Sequence, residues 1–335
     1  MNYWEIITSA YSNYAGYFWR ELTFQSSPWW HNYFFCLLLV SGFFFLLEII
    51  RPWRKDQPKF RKDFWLDAFY MFFNFFLFWL IFYNAASSLI EAVFGDLAYS
   101  LTGINQFPQI HVSNLPIWSQ FLLLFLIRDF IQWWTHRLLH RSNTLWEFHK
   151  VHHSVEEMGF AAHLRYHWME TVVYRSVEYI PLAMLGFVVK DFFLVYIFTL
   201  AWGHYNHSNI SIDSRISGGI VGIIVGSIII FSGAYSLTIN GVILFGAVLF
   251  GIFVISRFVK YLFNSPEMHI WHHAYELPHE RRFGVNFGLT LAIWDYIFGT
   301  AYIPHDGRDI KLGFPGVEEF PENFIQQQFN GISKK

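Results

Sequence analysis

The chain has 335 residues, 54% of them hydrophobic, 22% aromatic and 14% charged, with a formal net charge of −2. Soluble domains carry roughly a quarter charged residues, so this balance excludes an ordinary soluble globule, and the lack of net positive charge excludes nucleic acid as a partner. A single cysteine, Cys36, excludes a disulfide framework and a cysteine-based metal site.

In chain order, residues 1–30 are aromatic but interrupted by polar residues, as expected of an amphipathic segment at a membrane interface. Glu5 precedes any apolar run and no basic stretch opens the chain, so no cleavable signal peptide is expected. A first membrane span is expected at about 32–50, closed by Glu48 and Arg51. The string RPWRKDQPKFRK (51–62) follows, with six basic residues and two prolines, and then a second apolar stretch at about 64–94. A loop at 95–116, with Gly103, Pro108 and Pro116, leads to a third expected span at about 117–135.

Lys and Arg collect on the cytoplasmic side of membranes, which places 51–62 in the cytosol. Two more crossings then return the histidine-rich stretch 136–167 to the same side. The stretch 171–203 has two apolar halves broken near Gly186, Lys190 and Asp191. Each half, at roughly fifteen residues, is too short to cross, so a shallow helical hairpin is expected. A second hairpin is expected over 216–262, from apolar halves at 218–233 and 241–258 split around Ala234 to Asn240. The expected fold class is an all-α, multi-pass integral membrane protein of transmembrane helices and membrane-inserted helical hairpins, under a cytosolic helical cap that binds two metals. Its domains would be a membrane anchor (1–116), a catalytic region (117–303) and a polar tail (304–335).

Most of the 16 histidines sit in short clusters. His136 and His140 form HRLLH; His149, His152 and His153 form HKVHH; His269, His272 and His273 form HIWHH. His163 and His167 (HLRYH) and His204 and His207 (HYNH) lie between. Spacings of three and four put side chains on one helix face, about 5–6 Å apart at the β-carbons, which is the geometry for imidazoles to share one ion or two adjacent ions. A lone histidine is more often a satisfied core or interface residue, and His31, His111 and His305 read as surface residues. Clustered histidines read as metal ligands, because neutral imidazoles at a membrane surface are costly unless they serve something. A structural zinc site needs four ligands, no HExxH string of a zinc protease is present, and the only Glu-x-x-His pair, Glu276 with His279, spans Pro278. Three separated boxes in a membrane protein point to two irons with dioxygen as co-substrate.

The sequence resembles the fatty acid hydroxylase/sterol desaturase superfamily of membrane enzymes. The likeness covers about 117–303 and rests on HRLLH, HKVHH, RYHWME (Arg165 to Glu170), HSNI (His207 to Ile210), PEMHIWHH (266–273) and NFGLTLAIWDYIFGT (286–300). It implies metal ligation by His136, His140, His149, His152, His153, His207, His269, His272 and His273. A tenth ligand is assigned to His204 by proximity, with His167 next and His163 as a further alternate. His163, beside the Arg-x-His motif, is unusual for the family, as is the apolar insert of roughly forty residues before the last box. That insert would shape a lipid entrance, cover the site or add anchorage.

Asp129 lies two helical turns before His136 and would either accept a hydrogen bond from a ligand's second nitrogen or form a salt bridge with Arg128 or a neighbour. Glu170 would pair with Arg165 to brace the site, and Asp295 beside Trp294 would do likewise. Asn286 would bond a ligand or cap a helix. The indoles Trp133, Trp134, Trp146, Trp168 and Trp271 read as an interfacial belt rather than a substrate box.

Two irons of this kind would oxidise an unactivated C–H bond of a lipid drawn from the bilayer of a bacterial inner membrane or endoplasmic reticulum. Spacing does not separate hydroxylation from desaturation. With no cysteine set or haem-ligand pattern, electrons are expected from a separate cytochrome-type or ferredoxin-type protein. Against this stand a histidine-lined metal transporter, whose boxes would lie within spans rather than at their ends, and a catalytically altered, lipid-binding scaffold. The boxes' intactness argues against the scaffold.

Overall fold

The computed structural model describes residues 2–103, 112–185, 187, 193–232 and 236–332. Pro108, His111 and the hairpin break at Gly186, Lys190 and Asp191 lie outside them. Among the described residues the chain is helical, with isolated β-bridges and no strand.

The first two helices are started by asparagines. Asn2 caps α1 (Tyr3–Leu22) and Asn32 caps α2 (Tyr33–Ile50), each accepting from a backbone N–H of the first turn that has no helical partner. Buried Glu21 joins them, accepting from Ser26 Oγ at 2.8 Å and from the Phe34 N–H at 3.1 Å. After the basic loop come α3 (Phe64–Phe72) and α4 (Asn84–Thr102), joined without a break by π turns at Phe73–Leu77 and Trp79–Tyr83. Next are α5 (Ile117–Arg141), α6 (Asn143–His153), a 3₁₀ turn at Phe160–Leu164, α7 (Trp168–Met184) and α8 (Phe193–His207). The insert forms α9 (Ser214–Ser232) and α10 (Leu237–Phe253). Short helices α11 (Val259–Leu262), α12 (Pro266–His272), α13 (Ile293–Ile297) and α14 (Phe324–Phe329) complete the chain.

Among the described residues three stretches are long and apolar enough to cross a membrane: Tyr33–Ile50, Phe64–Val93 and Leu237–Arg257. The expected span at 117–135 is not among them. Its helix, α5, has the length but buries Arg128 and Asp129 midway; Arg128 pairs with Glu178 of α7 and covers the Tyr196 ring at 4.4 Å. A buried charge needs such partners, and the neighbouring helices supply them.

One apolar core joins α2, α3, α8 and the 3₁₀ turn through Leu37, Phe44, Met71, Phe160 and Leu200. Another lies beneath α12, built on Trp53, Val155, Ile270, Trp271 and Leu312. The C-terminal segment, expected as a polar tail, packs inward. Tyr70 Oη donates to Gln327 Oε1 at 2.8 Å, and Gln328 Oε1 accepts from the Trp168 N–H at 3.0 Å.

In the insert, α9 and α10 meet backbone to backbone. A Cβ on Gly222 would lie 2.3 Å from the Ala247 carbonyl oxygen, and one on Gly218 would lie 2.2 Å from that of Gly251. Small residues permit this approach, which sustains helix pairing in lipid. Gly246, on α10, faces open space. Gly222→Val is expected to lower the midpoint of thermal unfolding in detergent, whereas Gly246→Ala leaves it level or raises it, consistent with the roughly 1 kcal/mol helix preference of Ala over Gly. Equal behaviour of the two variants would contradict this packing.

Candidate metal centre

The histidines converge because four helices, α5, α6, α8 and α12, bring them together. Ser142 closes α5 in an extended conformation and caps α6, its hydroxyl accepting from the Leu145 N–H, so the chain reverses directly after His140. His136 and His140 then face His149 and His153. Ser265 caps α12 with Pro266 in its first turn, and α12 is almost wholly buried.

Nine histidines form two groups, within each of which one nitrogen per ring lies within 4.8 Å of the others. The first is His136, His140, His149, His153 and His272; the second is His152, His207, His269 and His273. The groups share a wall, for His153 and His273 stack with ring centres 4.4 Å apart. The two HxxHH boxes divide in opposite senses. In α6 the outer pair, His149 and His153, serves the first group and His152 the second. In α12 the outer pair, His269 and His273, serves the second group and His272 the first.

Most of the rings are held from behind. His136 Nδ1 donates to the Phe287 carbonyl and His272 Nδ1 to the Val285 carbonyl, both at 2.8 Å. His152 Nδ1 donates to the Arg165 carbonyl at 3.1 Å, and His207 Nδ1 to the Gly203 carbonyl at 2.8 Å. A carbonyl oxygen only accepts, so each of these rings carries its proton on Nδ1 and turns a lone pair inward from Nε2. The His152 and His207 Nε2 atoms face each other at 3.3 Å. His272 Nε2 and both nitrogens of His273 are buried with no protein partner. Opposed buried lone pairs are unfavourable unless a cation lies among them. The donor set therefore fits two metal ions.

Glu170 serves the same end for His149. Its carboxylate lies 2.7 Å from His149 Nδ1 and also accepts from the His167 N–H at 3.3 Å. Burial pushes the Glu170 carboxyl well above the usual range. A cation on the far side of the His149 ring would draw it back toward the carboxylate.

Several expectations are corrected. Glu170 meets His149, not Arg165. Arg165 pairs with Asp63 at 2.9 Å and Asp67 at 3.2 Å, fastening the cap to α3. Asp129 touches neither a histidine nor Arg128. It accepts from Trp294 Nε1 at 2.8 Å and the N–H groups of Thr290 and Leu291, because α5 runs beneath the closing segment. Asp295 does brace the site, accepting from Trp133 Nε1 and from the N–H groups of Phe287 and Gly288. Asn286 bonds no ligand and caps no helix. With φ at +53°, it clamps Met268 and Tyr302 through its side chain, so that the carbonyls on either side of it hold His272 and His136.

His204 lies outside both groups. Its Nε2 is 3.0 Å from Ser41 Oγ and its Nδ1 is 3.1 Å from His163 Nδ1, because it sits one turn before His207 and faces α2. His163 lies beyond the second group, its ring centre 5.4 Å from that of His207. It fits there because α8 has Gly203 at that point, where a Cβ would come 2.1 Å from the ring. His167 packs against Phe148 and Trp168, and its Nδ1 accepts from the Met169 N–H. The five indoles form no belt: Trp133 and Trp271 are buried, Trp146 packs on His140 and His153, and only Trp134 is exposed.

The carbonyls of Arg165, Gly203, Val285 and Phe287 carried no sequence signal, since every residue has one. Asp63 and Asp67 were equally unmarked, although charged residues beside an apolar run could have been paired with Arg165.

Against proteins of known sequence, a model of the fatty acid hydroxylase family matches residues 121–225 and 215–300, more than half the chain. The chain belongs to the fatty acid hydroxylase family. Among curated relatives, the ornithine lipid hydroxylase OlsE of Rhizobium tropici is 26% identical over 220 residues, 66% of this chain and 52% of that protein. The chain thus aligns with about half the length of that relative. The very-long-chain aldehyde decarbonylase GL1-10 of Oryza sativa subsp. japonica is 39% identical over 56 residues, 16% of this chain and 18% of that protein. No solved structure gives a significant match.

Two predictions follow from the geometry. Glu170→Gln removes the charge that supports His149 and is expected to weaken metal binding about tenfold or more in a competitive chelator titration. Unchanged affinity would remove Glu170 from the site's support. Burial also pushes His136 down to about 4 and His152 to about 3. The unfolded chain takes up these protons near pH 6.5 and the folded protein does not, so stability is full above 6.5 and lost as pH falls toward 4. The melting temperature of the metal-free protein should therefore fall between pH 7 and 5, and a flat profile would contradict neutral, buried imidazoles.

Proposed function

We propose that this family member is a membrane-bound oxidoreductase that uses two irons, dioxygen and an external electron donor to hydroxylate a C–H bond of a lipid. The observation that carries this reading is the pair of adjacent, buried, all-imidazole groups whose lone pairs point at one another. Imidazole suits iron among several metals, and two neighbouring ions go beyond the four ligands of a structural zinc site. Bound there, two irons would supply activation of dioxygen sufficient to attack an unactivated C–H bond. The remaining work belongs to the chain. Burial excludes water, the carbonyls of 165, 203, 285 and 287 orient the rings, and Glu170 holds the Nδ1 proton of His149.

A lipid substrate agrees with the lipid hydroxylase activity in the relative's name and with the three helices, among the described residues, apolar enough to cross a bilayer. Hydroxylation is preferred over desaturation on that relative. The short match to an aldehyde decarbonylase does not carry its reaction over. Each turnover would take two electrons and two protons, with one oxygen atom entering the lipid and the other leaving as water. The electrons would come from a separate cytochrome-type or ferredoxin-type protein.

The cap is read as cytosolic because the basic loop packs directly on it. The Arg54 N–H donates to Asn209 Oδ1 at 2.8 Å, and Gln57 Nε2 donates to the Met158 carbonyl at 2.8 Å.

The test is metal content on protein purified in mild detergent and loaded anaerobically with ferrous iron. About two irons per chain are expected, falling to about one or fewer in His272→Ala. Incubation with membrane lipids, a reductant and ¹⁸O₂ should then yield a lipid bearing one labelled oxygen atom. Less than one metal per chain, or product without label from dioxygen, would overturn the reading.

A further inference from the structure

His140 differs from the other eight histidines of the two groups. It alone is partly exposed, while the rest are buried. Its Nε2 faces inward, 3.2 Å from His153 Nε2, and its Nδ1 lies against Gly284 of the loop that follows the last histidine box. Gly284 makes that contact possible: with φ at +97°, a Cβ there would come 2.9 Å from His140 Nδ1. The centre therefore reaches the surface at one imidazole.

Four arginines surround this point, two from each of the elements that meet there. Arg137 and Arg141 flank His140 on α5, and Arg281 and Arg282 precede Gly284 in the loop. Aromatic rings hold them in place. Arg141 and Arg282 both lie over the Phe283 ring, at 5.8 and 4.8 Å, Arg281 lies over Tyr302 at 5.0 Å, and Arg137 lies over Trp133 and Trp134. Among the described residues none has a carboxylate within 4.0 Å, whereas Arg61, Arg128, Arg165, Arg175 and Arg308 all do. The loop's two acids, exposed Glu276 and Glu280, join none of them in an ion pair. Like charges gathered with no carboxylate in contact cost stability within the fold, which marks the patch for an external anionic partner.

We propose that this arginine patch docks a small acidic redox protein, iron–sulfur or haem, and that electrons enter the centre through His140. The inference rests on the oxygenase reading. Two successive one-electron dockings deliver the pair that each dioxygen requires, the donor being oxidised and the centre reduced. An acidic protein is favoured over an anionic lipid headgroup because the patch lies around the one surface-reaching histidine, where a redox group gains its shortest path.

The test uses the full chain in phosphatidylcholine nanodiscs, with plant-type ferredoxin and cytochrome b5 as acidic probes. Binding is measured on the metal-free protein, and the reduction rate on the iron-loaded protein. For at least one probe, Arg141→Glu/Arg282→Glu should weaken binding and slow reduction about tenfold or more, and salt should erase the difference. Arg141→Lys/Arg282→Lys should retain both, and Arg215→Glu, elsewhere on the surface, should change neither. Reduction by dithionite with methyl viologen and iron content should be equal in all.

Binding and rates that ignore the reversal, or that follow net charge in Arg215→Glu as well, would overturn the proposal. So would arginine dependence confined to retention on phosphatidylglycerol membranes, which would assign the patch to headgroups. Failure of the oxygenase reading shows separately, as missing iron in the unaltered protein.

Discussion

A protonated imidazole cannot hold a cation, and a neutral one offers its lone pair from whichever nitrogen lacks hydrogen. The cap is organised around that choice. Wherever a carbonyl oxygen stands behind a ring, as at His136, His152, His207 and His272, the proton is fixed on Nδ1 and Nε2 is left to point inward. Burial removes the competing option of charging the ring. The lone pairs are then close enough to repel, and the chain bears that cost through the packing of helices on every side.

Those helices are tied by polar contacts as much as by apolar ones. Asp129 and Asp295 both hold the closing segment against α5, one through the N–H groups of Thr290 and Leu291, the other through those of Phe287 and Gly288. That segment carries the carbonyls behind His136 and His272, so two carboxylates remote from any histidine set the tilt of two rings. Arg165 plays a similar part on the opposite side. Its side chain reaches Asp63 and Asp67 while its carbonyl holds His152.

How far the sequence could be read depended on whether a role belongs to a side chain or to the backbone. The nine histidines found together are those of the boxes and HSNI, because spacings of three and four define a helix face before any tertiary contact is known. The supports behind them were hidden, since a carbonyl has no letter of its own. His204 was drawn toward the site by its closeness to His207, but the α8 face one turn earlier looks at Ser41. Asp129 was placed correctly on its helix and assigned the wrong neighbour, because the partner strip, 290–294, arrives from the far end of the chain. Trp133 looked like an interfacial residue in a one-dimensional pattern and is buried against Asp295. The fold class was legible for the opposite reason, since hydropathy sums over many residues and tolerates such errors.

The opposite division of the two HxxHH boxes has an evolutionary consequence. Since α6 and α12 each serve both groups, a drift of either helix as a body misaligns donors in both at once. Loss of one imidazole harms one group, but no gradual repacking of a single helix dismantles one and spares the other. The two groups are therefore bound to a shared fate, and a lineage carrying this arrangement can more readily lose the whole centre than reduce it by degrees to a simpler one.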